Sequence, residues 1–125
     1  MTKLRELYYC SICKNVTEVV HEGAPALVCC GKPMQKLEAK NSDTGLEKHV
    51  PVVTEKDNGI HVCVGSINHP MTEEHSINFI EVLTENKVLR AELKPNDKPE
   101  AYFNVCPKEV KQVRAYCNLH GLWKA

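Results

Sequence analysis

Apolar and polar residues in this 125-residue chain alternate with the short period of strands, not the longer period of helices. Ile60, Val62 and Val64 alternate with His61, Cys63 and Gly65, which predicts a strand with one buried face. Ile77–Leu83 predicts a second strand and residues 87–93 a third, with Glu85-Asn86 as the turn between them. Residues 94–99 are a cluster of turn formers, and strands at 101–105 and 110–116 complete the set. Nearer the N-terminus, strands are expected at 4–9, 16–20 and 26–28, punctuated by Gly23-Ala24-Pro25 and Gly31-Lys32-Pro33. Short strands divided by turn signals place the chain in the all-β class and favour a sandwich over an α/β fold.

Length alone suggests a single domain. The cysteines and histidines divide the chain differently. Cys10, Cys13, Cys29 and Cys30 stand in the first 30 residues, whereas five of the six histidines lie at or after position 49. Residues 1–37 are too few to build a self-sufficient core, since chains below about 40 residues usually need a metal, a disulfide or a partner. Residues 38–48 are polar with few apolar anchors and read as a linker, leaving 49–125 as the second domain.

Composition narrows the function. Sixteen Lys and Arg balance 16 Asp and Glu, so the formal net charge is zero. That argues against a nucleic-acid binder built on phosphate contacts and against a polybasic membrane module. The hydrophobic share of 42% and charged share of 26% suit a globular protein and not a disordered one. No apolar run approaches the roughly 20 residues of a membrane span. The opening residues Met1 to Glu6 lack the features of a signal peptide. The expectation is a cytoplasmic protein, in which a set of seven cysteines points to metal ligands sooner than to disulfides.

Cys10-Ser11-Ile12-Cys13 and, fifteen residues later, Cys29-Cys30 form a set of four thiols. A CxxC turn brings two sulfurs to one side of the backbone, and two pairs can surround one cation tetrahedrally. Such a site accepts iron or zinc. The second pair is adjacent, so a distorted tetrahedron is expected.

The second segment offers His49, His61, His69, His75 and His120 with Cys63, Cys106 and Cys117. His69 and His75 flank one short loop and can grip one metal. Cys117-Asn118-Leu119-His120 pairs a thiol and an imidazole at the same spacing just past a strand. Four imidazoles and one thiolate exceed what structural zinc needs, and five ligands leave one octahedral position for a small molecule. A solvated or satisfied side chain is the ordinary alternative for any of these histidines, and it is adopted for His21 and His61. Cys63 and Cys106 read as free thiols.

The ordered blocks Cys10-x-x-Cys13…Cys29-Cys30, Glu47-Lys48-His49-Val50-Pro51, His69-Pro70-Met71…His75 and Cys117-Asn118-x-His120-Gly121-x-Trp123 resemble the desulfoferrodoxin family of two-iron superoxide reductases. The resemblance spans essentially the whole chain. It implies a desulforedoxin-like module holding iron through Cys10, Cys13, Cys29 and Cys30, with zinc as an alternative there. It implies an immunoglobulin-like, neelaredoxin-like β-sandwich holding a second iron through His49, His69, His75 and His120 with axial Cys117. The implied reaction is one-electron reduction of superoxide to hydrogen peroxide without release of dioxygen. Lys48 would attract the anion, and Glu47 would close the sixth position once the iron is ferric. A homodimer and a rubredoxin-like electron donor are implied as well. The alternative is a non-catalytic two-iron electron carrier, which would need a closed coordination shell.

Overall fold

The computed structural model describes residues 1–43 and 48–125. The chain is all-β and divides into two compact units, Met1–Glu38 and Ala39–Ala125. Among the described residues no helix is long and apolar enough to cross a membrane.

The first unit has five short strands: β1 (Leu7–Tyr9), β2 (Val16–Glu18), β3 (Val28–Cys29), β4 (Lys32–Pro33) and β5 (Gln35–Lys36). β1 is the centre of an antiparallel sheet ordered β2-β1-β5, and β3 and β4 form a separate ribbon. The strand expected at 4–9 begins only at Leu7, because Arg5 takes a φ of 72°, outside the extended region. Leu7, Cys10 and Val19 are its buried hydrophobic residues, while Leu4, Ile12, Val20 and Val28 stay exposed. So small an apolar core cannot offset the conformational entropy of about 38 ordered residues without a cross-link.

The second unit is a sandwich. Its strands are β6 (Pro51–Lys56), β7 (Gly59–Val64), β8 (Ile77–Leu83), β9 (Val88–Glu92), β10 (Glu100–Phe103), β11 (Gln112–Cys117) and β12 (Gly121–Lys124), with a 3₁₀ turn at Pro107–Glu109. One antiparallel sheet is ordered β10-β7-β6 and the other β12-β11-β8-β9. Ile60, Val62 and Val64 of β7 meet Ile80 and Val82 of β8 and Val113, Ala115 and Cys117 of β11 in one buried cluster. His61 and Cys63 alternate with them on the half-buried face of β7, where His61 Nε2 lies 3.4 Å from Glu100.

Strand β6 was not expected. It starts at a proline, five of its six residues are exposed, and it lies at a sheet edge, so burial left no alternation to read. Its signal is the turn that follows: Asp57 and Asn58 both have positive φ (50° and 66°), as a two-residue hairpin of type I′ requires. Gly65, at φ 87°, ends β7, and a Cβ there would collide with the carbonyl groups of Lys48 and Ile67. The chain around Lys48 can therefore pack close to the end of β7 only over a glycine.

Candidate metal centres

The four thiols of the first unit converge as one group, with every pair of sulfurs within 4.8 Å. Cys13 Sγ lies 3.4 Å from Cys29 Sγ, and Cys29 Sγ lies 3.9 Å from Cys30 Sγ. A regular tetrahedron with metal–sulfur bonds of about 2.3 Å has edges of about 3.8 Å, so the group fits one ion with unequal edges. Local turns explain the convergence. Lys14 N–H donates to the Cys10 carbonyl at 2.9 Å with φ 70° at Lys14, which folds the CxxC segment back on itself. Cys30 (φ 52°) and Gly31 (φ 75°) are both left-handed, and this sharp turn lets two adjacent sulfurs aim at one point. The Cys13 backbone N–H donates to Cys10 Sγ at 3.4 Å and holds that thiol down to about 6. Hydrogen bonding with the Cys13 side chain, with lesser contributions that include burial, pushes Cys29 up to about 12 and also raises Cys30. Four sulfurs this close resist ionising together unless a cation neutralises them.

In the second unit, His49 precedes β6, His69 and His75 lie in the β7–β8 loop, and His120 lies in the β11–β12 turn. All four come together at one end of the sandwich. Neighbouring ring centroids are 4.7 Å (His49–His69), 4.6 Å (His69–His75), 5.0 Å (His75–His120) and 4.9 Å (His120–His49) apart. The His49–His75 diagonal is 6.5 Å, longer than the edges in the proportion of a near-square. His49 Nε2 and His120 Nδ1 are 3.2 Å apart. Two nitrogens at right angles around one ion, each bonded at about 2.1 Å, are about 3 Å apart. Donor atoms of His49, His69, His75 and Cys117 all lie within 4.8 Å of one another, and His120 Nδ1 approaches Cys117 Sγ to 3.8 Å. The five side chains fit one metal ion.

Cys117 is fully buried at the end of β11, on the face that lines the core. The β8–β11 register shifts between Tyr116 and Cys117, which sets Cys117 opposite Ile77 and re-aims it at the end of the sandwich. The flanking loops are braced. Asn118 Nδ2 donates to the Glu74 carbonyl at 2.9 Å, while Asn118 Oδ1 accepts the Ser76 N–H at 3.0 Å. Thr72 Oγ1 accepts the His75 N–H at 3.1 Å, and the Thr72 N–H donates to the His75 carbonyl at 2.9 Å. His69 Nδ1 donates to the Pro70 carbonyl at 2.7 Å, so the imidazole presents Nε2 as its ligating nitrogen. Trp123 stacks on His49 at 4.5 Å and 13° and donates Nε1–H to the His120 carbonyl at 3.2 Å.

Of the other expected residues, Lys48 is half-buried beside His49, and Glu47 lies outside the described residues. Cys63, Cys106 and His61 stand apart from both donor groups, and no cysteine forms a disulfide. The roles of Trp123 and Asn118 were not read from the sequence, although both stand in the quoted Cys117-to-Trp123 block. Stacking and cross-loop hydrogen bonds leave no spacing signature.

The family pattern described as desulfoferrodoxin matches residues 41–125, and that of the desulfoferrodoxin N-terminal domain matches residues 2–37. The chain belongs to the desulfoferrodoxin family. A desulfoferrodoxin homolog of Archaeoglobus fulgidus is 50% identical over 125 residues, covering 100% of this chain and 99% of its own. The desulfoferrodoxin of Syntrophotalea carbinolica is also 50% identical, over 100% of this chain and 98% of its own. The crystal structure of the superoxide reductase from Treponema pallidum superposes with a TM-score of 0.79 at 27% identity, covering 96% of each chain. The two donor groups match the two iron centres of desulfoferrodoxins.

Proposed function

We propose that the chain is a superoxide reductase that converts superoxide, one electron and two protons to hydrogen peroxide without releasing dioxygen. The observation that carries this reading is the square of four imidazoles with a single buried thiol beside it. Five donors would leave a six-coordinate ion able to take one small ligand, which suits a reductase better than an electron carrier with a closed shell. The similarity to the superoxide reductase from Treponema pallidum supports it. His49, His69, His75, His120 and Cys117 would hold the catalytic iron, and Cys10, Cys13, Cys29 and Cys30 the auxiliary one. Iron held there would supply the electron and a site for the anion. The test is superoxide consumption with stoichiometric peroxide and no evolved dioxygen. Dioxygen formed in a dismutation ratio, or no consumption at all, would overturn it.

The residues do the rest. Imidazole donors carry no negative charge to cancel the positive charge of a bound ferrous ion, and a Cys117 thiolate would offset only part of it. Lys48 adds a positive charge beside His49. With zero net charge on the chain, attraction for an anion is local. Lys48→Ala is therefore expected to slow the second-order reaction about ten-fold at low ionic strength and to flatten its salt dependence. Stopped-flow rates across a salt series check this, and an unchanged low-salt rate removes Lys48 from the reaction. Solvent next to Lys48 would supply the protons, and Glu47, by the family resemblance, would be the carboxylate available to the oxidised metal.

The module of residues 1–37 would be auxiliary or structural, the protein a cytoplasmic homodimer, and a rubredoxin-like protein its reductant. Cys10→Ser is expected to abolish the absorption of the tetrathiolate iron while changing the superoxide rate of pre-reduced protein less than about two-fold. A rate kept in pre-reduced protein but lost when an external donor must supply the electron would make that iron an obligatory relay.

A further inference from the structure

The two halves of the imidazole square are held differently. His69 and His75 are braced within their own loop by the Pro70 carbonyl and Thr72, and that loop is tied by Asn118 of the β11–β12 turn. His49 and His120 are braced from outside, by residues 40–43. Lys40 forms a parallel bridge with Trp123. Its N–H donates to the Leu122 carbonyl and its own carbonyl accepts the Lys124 N–H, at 2.9 and 2.8 Å. The Lys40 ammonium donates to the His120 carbonyl at 3.0 Å and lies 4.9 Å from the centre of the Trp123 ring. Trp123 shares that carbonyl and carries the stacked His49 ring. Three residues on, the Asp43 carboxylate accepts the backbone N–H groups of His49 at 2.6 Å and Val50 at 3.2 Å.

We infer that Lys40 and Asp43 are positioning residues, a strap that holds the His49–His120 corner at metal-binding separation with Trp123 as the shared plate. Neither is placed among the donor atoms. Lys40 acts through the His120 carbonyl and the indole, and Asp43 through the amides of His49 and Val50. The physical need is specific. His49 enters from a loop and His120 sits in a turn, whereas a metal site requires its donors placed to about 0.5 Å. Two charged groups on the backbone of these two ligands fix what the strands do not. Charge-assisted bonds of this kind are the stronger sort available.

The inference rests on the metal-site reading above. Its test uses the full-length, iron-loaded protein and does not rely on turnover. Loss of each iron to a chelator is followed by its own absorption band, with the tetrathiolate iron as internal control. Lys40→Met and Asp43→Ala are each expected to weaken retention of the second iron about ten-fold. Each should also shift its charge-transfer band and leave the first iron unchanged, and Lys40→Arg should restore retention to within about two-fold. Wild-type retention and spectra in both variants would overturn the strap. So would equal acceleration of both irons, which marks general loosening. A wild-type chain that takes up only the tetrathiolate metal would overturn the metal-site reading along with it.

Discussion

Cys117→Ser is expected to abolish superoxide reduction, with the second-order rate falling by at least about 100-fold. The replacement is close to isosteric, so the core packing around this fully buried residue survives. What changes is the donor. A thiol ionises readily on a metal, whereas a serine hydroxyl does not, and oxygen does not return the electron density that thiolate gives to iron. Altering the partners of a ligand already costs about 10–100-fold in metal affinity or activity, and removing the ligand itself costs more. The checks are superoxide consumption and the visible spectrum. The sulfur band of the second centre should vanish while that of the tetrathiolate centre stays as an internal standard. A variant retaining its rate within about three-fold would remove Cys117 from the site.

Glu81→Ala is expected to cost the second unit about 3–5 kcal/mol. Glu81 is 1% exposed in the middle of β8, and its Oε1 accepts from Arg114 Nε at 2.8 Å and Nη2 at 2.7 Å. Arg90 on the opposite neighbouring strand reaches Oε2 at 3.5 Å. Arg114 is itself 5% exposed. Truncating the carboxylate takes the paired anion from a buried guanidinium, and the desolvation of that charge, more than the lost attraction, sets the size of the effect. Trp123 is the single tryptophan and reports unfolding of this unit by its fluorescence in a urea titration. The Glu81→Ala, Arg114→Ala double variant should be less destabilised than the sum of the singles. Additive losses, or a shift below about 1 kcal/mol for Glu81→Ala, would show that the pair is not coupled.

Glu81 also shows where reading a sequence stops. Within Ile77–Leu83 it occupies a polar position on the outer face of a strand, and nothing nearby in the chain says that this face is covered or that Arg114 stands opposite. The pair is set by the register of β8 against β11, 33 residues apart. Edge strand β6 escaped for a related reason: it carries no buried face, and only the Asp57-Asn58 turn marks it. The core strands were legible because one face of each is buried and side chains alternate, so Ile60, Val62 and Val64 announce β7 on their own.

Residue types and local spacing carry the donor chemistry of the chain. Four thiols in CxxC and CC pairs are legible as one donor set, because a turn of a few residues brings each pair of sulfurs to one side, although strand pairing is what joins the two pairs. The kinds of donor available for a second centre, and the family to which the ordered blocks belong, are also read directly from residue types. The arrangement of the second centre depends on the tertiary structure. Its donors come from three separated stretches, so their circular order, His49–His69–His75–His120, depends on which strand ends share one end of the sandwich. The bulge that aims Cys117, the stack of Trp123 on His49 and the strap of Lys40 and Asp43 depend on the same pairing. Local spacing constrains neighbours along the chain, and these contacts are made between residues that become neighbours only when the sheets form.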